Sequence, residues 1–130
     1  GIGTDTLWTA MADTVLMPVE KFAPLASTRL GDTGSTIFDF LRQSNVYTAM
    51  TGKPLNIRGV RGLSTAGVGA TGRMITYRKS PDVLKLHIPM PHRFLPAWQA
   101  GPLRVEVPGV FRLGGLDIRR PKEVRYTDGI

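Results

Sequence analysis

His87 and His92 are the only two histidines in the sequence, and imidazole is the usual side chain for proton transfer and metal binding near neutral pH. A metal ion would need further ligands close by, but residues 88–93 offer no carboxylate, and the chain has no cysteine. We therefore interpret both histidines as surface or strand-end residues. The sequence predicts neither a metal site nor any other bound cofactor.

A glycine-rich segment at residues 67–72, with the sequence GVGATG, matches the dinucleotide-binding pattern as a string. In that pattern a helix follows the glycines, so that its amino-terminal dipole meets the pyrophosphate. Here residues 73–77 follow, which read as a β-strand, and no acidic residue stands about 20 positions further on to hold a ribose. We predict instead that residues 62–72, which contain four glycines and few large side chains, form a mobile loop.

The sequence also lacks the residue patterns that are characteristic of acid–base and nucleophilic catalysis. Residues 41–104 contain ten Lys or Arg and a single acid, Asp82, so no pair of carboxylates is available there. Ser64 misses the nucleophile-elbow spacing because Ala66 stands where the second glycine belongs. The sequence therefore indicates a protein that is not an enzyme and has no small-molecule substrate.

The positive charge is concentrated in the middle of the chain. The formal net charge is +7, yet the first 39 residues are mildly acidic. This excess favours a negative partner, either the acidic edge of a neighbouring subunit or nucleic acid, and a solvated basic face is the alternative. Aromatic residues beside prolines more often pack in a core or an interface than stack on bases. The candidate subunit or DNA contacts are Arg58, Arg61, Arg73, Arg93, Phe94 and Trp98.

Length and hydropathy set the class of the chain. A chain of 130 residues fits one domain that buries roughly two-thirds of its extended surface. It has no run of about 18 apolar residues and no basic-then-apolar order at its amino terminus, so neither membrane insertion nor secretion is indicated. The first residue is Gly1 rather than methionine, which favours an excised fragment.

The amino-terminal part predicts two helices and a strand. Asp5 is expected to cap a short helix carrying residues 7–12, and the apolar run at 15–17 predicts a buried strand. Pro18 suits the first position of a second helix. Pro24 cannot donate to that helix, so we expect a break or a restart there.

Further along, Ser35 is expected to cap a helix over residues 36–42, and residues 46–50 add further turns until Gly52 ends them. Strands are predicted where apolar and polar residues alternate, at residues 54–60, 73–77, 85–90 and 103–107. Pro89 and Pro91 cannot donate ladder bonds, so the third of these strands should lie at an edge or end at the prolines.

Each predicted strand has one dry face, and strands mixed with helices predict an α+β fold with helices covering a mixed sheet. The residues expected in its core are Leu16, Ile37, Phe40, Leu41, Ile57, Ile75, Leu86, Ile88 and Val105. Near the carboxyl terminus basic and acidic residues alternate, which predicts ion pairing across strands or subunits. These charged residues are Asp117, Arg119, Arg120, Lys122, Glu123, Arg125 and Asp128.

Several segments, in this order, carry a resemblance to a known family. They are residues 13–18, 72–74, 86–91, 114–116 and 126–130. From about residue 13 the chain resembles the carboxy-terminal part of the major capsid proteins of tailed bacteriophages and prophages.

The resemblance implies the tailed-phage coat-protein fold, with a mixed central sheet and flanking helices. Residues 1–130 would form a single domain, mostly the axial domain, with the last strands directed toward the peripheral domain and with the arm, extended loop and spine helix upstream. The implied function is that of a structural subunit of the capsid, found in the virion and, before assembly, in the bacterial cytoplasm. The implied partners are copies of itself and packaged double-stranded DNA. A basic nucleic-acid-binding module is the alternative.

Overall fold

The computed structural model describes residues 2–130. The α-helices within them are α1 (Ile2–Asp5), α2 (Val19–Ser27), α3 (Ile37–Gln43) and α4 (Val46–Thr51), and single 3-10 turns cover Val68–Ala70 and Pro121–Glu123. The strands are β1 (Thr14–Pro18), β2 (Asn56–Val60), β3 (Arg73–Tyr77), β4 (Leu84–His87), β5 (Met90–Phe94), β6 (Trp98–Gly101), β7 (Arg104–Glu106), β8 (Gly109–Arg112), β9 (Gly115–Ile118) and β10 (Val124–Asp128). None of the helices described is long and apolar enough to cross a membrane.

The centre of the fold is a four-stranded mixed sheet in the order β10-β3-β1-β2. Strands β1 and β2 are parallel, with Val15 opposite Ile57, whereas β3 is antiparallel to both β1 and β10. The parallel pair needs a crossover connection, and α2, α3 and α4 supply it. The predicted α+β class, with a mixed sheet and flanking helices, is confirmed.

The helices of the crossover begin and end with capping residues. Thr36, rather than the expected Ser35, caps α3, and its hydroxyl accepts a hydrogen bond from the backbone N–H of Asp39. Asn45 caps α4 in the same way, and Gly52 ends that helix in the left-handed conformation with φ 71°. The predicted turns at residues 46–50 are therefore a separate helix.

Two expectations for the amino-terminal part are wrong. Asp5 ends helix α1 instead of starting one, and the chain then turns through Leu7 and Trp8, which both have positive φ. Helix α2 continues through Pro24 to Ser27 without a break. The proline removes one backbone donor, the one that would bond to the carbonyl of Glu20, and the ladder resumes after it, since the backbone N–H of Thr28 bonds to the carbonyl of Pro24 at 2.9 Å.

Helix α2 packs closely on the sheet because β2 has a glycine at the contact. A Cβ atom on Gly59 would lie 3.1 Å from the Cγ and Cδ1 atoms of Phe22. The Phe22 ring also meets the Phe38 ring edge to face, with centroids 5.5 Å apart, which joins α2 to α3. One aromatic side chain thus holds the sheet and two helices together.

The segment from residue 84 to residue 118 forms a long two-stranded antiparallel hairpin, which we call the ribbon. Its three nested ladders pair β4 with β9, β5 with β8 and β6 with β7. The strand predicted over residues 85–90 ends at His87, before Pro89, and a new strand begins at Met90. The strand thus ends before Pro89, as one of the two expected outcomes required, whereas Pro91 lies inside the new strand.

Few side chains are fully buried, and most of the predicted core is not. Among residues 2–130 the buried apolar residues are Ile2, Met17, Pro18, Ile57 and Val83. Half-buried members of the predicted core are Leu16, Ile37 and Ile75. Exposed members are Phe40, Leu41, Leu86, Ile88 and Val105. The prediction is wrong for the last group. Alternation of apolar and polar residues identifies the apolar face of an element, but it does not show whether another layer of the structure buries that face.

Candidate functional site

The ribbon is the part of the chain with the most exposed apolar surface. Of the twenty large apolar residues that are exposed among those described, eleven lie in residues 84–118. Phe94 is 72% exposed, Phe111 60% and Leu113 62%. A two-stranded hairpin is marginal by itself in water, and a large contiguous apolar patch typically marks an interaction site.

The two faces of the ribbon differ near its base. Leu84 lies opposite Ile118 and Leu86 opposite Leu116, so these four side chains share one face. The intervening pair, Lys85 and Asp117, lies on the other face. One face is therefore apolar and the other is charged.

Further along, Ile88, Phe111 and Leu113 line one apolar hollow together with His92. The His92 ring meets Phe94 edge to face, with centroids 4.7 Å apart. A Cβ atom on Gly109 would lie only 2.7 Å from Nε2 of His92, so the glycine permits this close approach. His92 is a packing residue of the ribbon in this arrangement.

Both acidic groups of the ribbon have a basic partner, whereas three of its four Lys and Arg side chains have no acidic partner among the described residues. Arg104 binds Glu106 at 2.7 Å, and Asp117 lies 3.5 Å from His87 and 3.7 Å from Arg119. The basic ribbon residues without an ion pair among the described residues are Lys85, Arg93 and Arg112.

The base of the ribbon is fixed by a buried carboxylate. Glu123, whose side chain is 6% exposed, binds Arg78 directly after β3 and Arg120 at 3.3 Å. Arg78 above all, with help from Arg120, holds the pKa of Glu123 below its ordinary value although burial opposes this. The adjoining Val83 is fully buried, and its carbonyl accepts from the backbone N–H of Arg119 at 2.9 Å.

A second ion pair joins the carboxy-terminal strand to the glycine-rich segment. Arg73 donates to both carboxylate oxygens of Asp128, at 2.6 and 2.9 Å, and lies over the Tyr126 ring. The same carboxylate accepts from the backbone N–H of Val68 at 3.3 Å. The hydrogen bonds from Arg73 lower the pKa of Asp128, and the pKa of Arg73 is raised in return.

The candidate contact residues separate into two groups. Arg58 and Arg61 lie in and just after the edge strand β2, and both are exposed. Arg93, Phe94 and Trp98 lie on the ribbon. The remaining candidate, Arg73, is occupied by its ion pair within the chain.

The sequence interpretation missed the apolar residues of the opposite strand of the ribbon, which are Phe111, Leu113 and Leu116. The signal for them was present, because apolar residues alternate in both strands while prolines interrupt one of them. A strand pair that contains prolines rarely occupies the centre of a larger sheet, because proline cannot donate a ladder hydrogen bond.

The remaining surface shows little that resembles a catalytic centre. A hollow beside α1 is lined mainly by apolar side chains, including Trp8, Met11, Val15 and Leu55. Within residues 2–130 no three His, Cys, Asp or Glu side chains gather closely enough to hold a metal ion.

Comparisons with known proteins show the family of the chain and the fold that it shares. The family model described as major capsid protein matches residues 1–130. No curated protein matches the sequence significantly. Among solved structures, the chain is similar to one in the capsid of Myoviridae phage XM1, with a TM-score of 0.76 and 21% identity over 99% of this chain. At that identity the likeness shows the fold, and this chain spans 42% of the length of the phage chain.

Proposed function

This chain belongs to the major capsid protein family, and we propose from that premise that it acts as a structural subunit of a tailed-phage or prophage shell. In this role it packs against copies of itself to enclose double-stranded DNA. The observation that carries the proposal is the match of the family model over the whole chain, joined to a capsid fold at a TM-score of 0.76.

The surface chemistry supports a role in packing rather than catalysis. Exposed apolar side chains are concentrated on the ribbon, and free arginines lie at the edge of the sheet and on the ribbon. Both are typical of surfaces that meet another macromolecule. We propose that the protein is not an enzyme and that it needs no small-molecule substrate.

We further propose that the four-stranded sheet and its helices form the axial domain of the coat-protein fold. The last strands would be directed toward the peripheral domain. The protein would be located in the virion, and in the cytoplasm of the bacterial host before assembly.

Expression of the full-length protein by itself, followed by electron microscopy, tests the proposal. Regular shells are the expected result. Soluble, folded subunits that never form shells at any concentration, with or without other proteins of the same phage, would contradict it.

Charge reversal of the free arginines shows what the basic surface meets. We expect Arg58→Glu, Arg61→Glu and Arg93→Glu to slow shell formation without unfolding the subunit, because charges at the rim of an interface mainly steer association. Shells that form normally but stay empty would instead assign these arginines to packaged DNA. Arg29→Glu, an exposed arginine outside the basic middle, is the matched control.

Normal assembly and normal filling in all three variants would contradict both roles. The arginines would then form a solvated basic face, and the proposed shell function would be unaffected.

A further inference from the structure

The chain exposes far more surface than a compact protein of its mass. Its accessible surface is 9173 Å², whereas a compact monomer of 14.2 kDa exposes about 6,800 Å². The excess is about 2,400 Å², roughly three times the 800 Å² or so that each partner contributes to an interface of standard size. Since the ribbon carries most of the exposed large apolar residues, much of this excess is available for burial there.

The ribbon is suited to contact a partner through the side chains of one face rather than to pair with an added strand at its edge. Five of the ten prolines of the chain lie in residues 84–118, and a proline cannot donate to an added strand. The side chains of Ile88, Phe111 and Leu113, by contrast, form one apolar hollow. A partner would therefore contact the side chains of this face.

The chemistry of this face favours a protein partner. Both carboxylates of the ribbon are paired, Glu106 with Arg104 and Asp117 with Arg119 just past its end. Exposed large apolar residues outnumber the cations that have no ion pair among the described residues. A nucleic acid would need a track of free cations. In a shell, the protein surface next to each subunit is another copy of the same subunit.

We propose that the apolar face of the ribbon, centred on Ile88, Phe111 and Leu113, docks on a neighbouring copy of this chain and is a principal subunit contact. This inference rests on the proposed function, and it adds the surface through which the copies join. In this proposal the ribbon is held at its base by Glu123 and Val83, and the neighbouring subunit buries its apolar face.

A double substitution in the full-length protein, Phe111→Asp with Leu113→Asp, tests the docking. We expect the assembled fraction, measured by sedimentation velocity, to fall about tenfold or more, because two buried apolar anchors are replaced by charges. Circular dichroism and thermal melting of unassembled subunits should match those of the wild type, because both side chains are more than half exposed.

The matched control is Gln99→Asp, at an exposed polar position of the ribbon that does not line the apolar hollow. It should assemble like the wild type. Wild-type yields of shells from the double variant would overturn the docking and leave the proposed function intact. Failure of the wild type to assemble would contradict the proposed function and, with it, the docking.

Chemical labelling gives a readout that does not depend on assembly of a damaged variant. A cysteine placed by Leu113→Cys should react rapidly with a maleimide in free full-length subunits and at least about tenfold more slowly in shells. Equal rates in both states would overturn the proposal. Protection already present in the free subunit would also overturn it, because a segment of the same protein would then cover the face.

Discussion

At the residue scale, the buried carboxylate of Glu123 holds the base of the exposed ribbon in place. Its carboxylate is surrounded by Arg78 and Arg120, and its pKa lies below the ordinary value chiefly because of the hydrogen bond from Arg78. A buried ion pair of this kind contributes little when intact relative to an apolar replacement, but it costs much when one partner is lost. The residue therefore controls whether the base of the ribbon stays in place.

We predict that Glu123→Gln destabilises the unassembled full-length subunit at pH 7 by about 1.5–3 kcal/mol, because two guanidinium groups lose a charged acceptor. The pKa of Glu123 is lower in the folded state, so its contribution is present above the ordinary value of about 4.3 and is lost as pH falls through the folded value. Urea unfolding between pH 7 and pH 3 should show a flatter pH dependence in the variant than in the wild type.

Glu106→Gln is the matched control, since Glu106 pairs with Arg104 on a surface where their side chains are 40% and 75% exposed. Such a pair is worth at most about 1 kcal/mol. Equal losses of stability in the two variants would contradict the anchoring role of Glu123.

At the scale of elements, the contact between α2 and β2 depends on a position without a side chain. We predict that Gly59→Ala lowers the free energy of unfolding by about 1–2 kcal/mol, since its Cβ would lie 3.1 Å from the ring of Phe22 and force the helix outward. Chemical unfolding of the full-length subunit measures this. Gly34→Ala, where no atom lies within 4 Å of the added Cβ, should change stability little.

The glycine-rich connection at residues 62–72 is held by few contacts. The backbone N–H of Gly67 bonds to the carbonyl of Thr71, and Asp128 accepts from Val68. A third amide, that of Ala70, donates to the carbonyl of Gly67 at 3.2 Å. We predict that the loop exchanges its amide hydrogens within seconds in the unassembled subunit, apart from these three bonded amides. Asp128→Asn should speed exchange at Val68, whereas Asp32→Asn, an exposed acid with no ion pair among the described residues, should not.

Slow exchange throughout residues 62–72 in free subunits would contradict the prediction of a mobile loop. Protection that develops only in assembled shells would be consistent with a contact role for this segment.

For the whole molecule, the large accessible surface supports the proposal that each subunit packs against its neighbours. We predict that assembled full-length protein melts at a higher temperature than free subunits, because binding partners stabilise only the folded state. The Phe111→Asp, Leu113→Asp variant should melt like a free subunit at every protein concentration. Differential scanning calorimetry above and below the assembly concentration measures both, and identical melting temperatures for shells and subunits would contradict the prediction.

The sequence by itself determined the types and approximate positions of the elements from β1 to β3, whereas it did not separate the short strands of the ribbon. Strands at Thr14–Pro18 and Arg73–Tyr77 and the helix ended by Gly52 are set by β-branched runs, alternation and capping chemistry, which act within a few neighbouring residues. The alternation of charges near the carboxyl terminus likewise anticipated ion pairs. The ordered short segments indicated the capsid family, which the family model confirms.

Burial was decided only by the tertiary structure. Phe40 has the sequence pattern of a core residue, yet it is 47% exposed, and its truncation would cost less than the 3–5 kcal/mol expected for a fully buried phenylalanine. Which partner a charge meets, as for Arg73 with Asp128 across 55 positions, is likewise absent from local pattern. The physical reason is common to both: periodicity fixes the direction of a side chain within its own element, whereas cover and charge partners come from distant elements or from another copy of the chain.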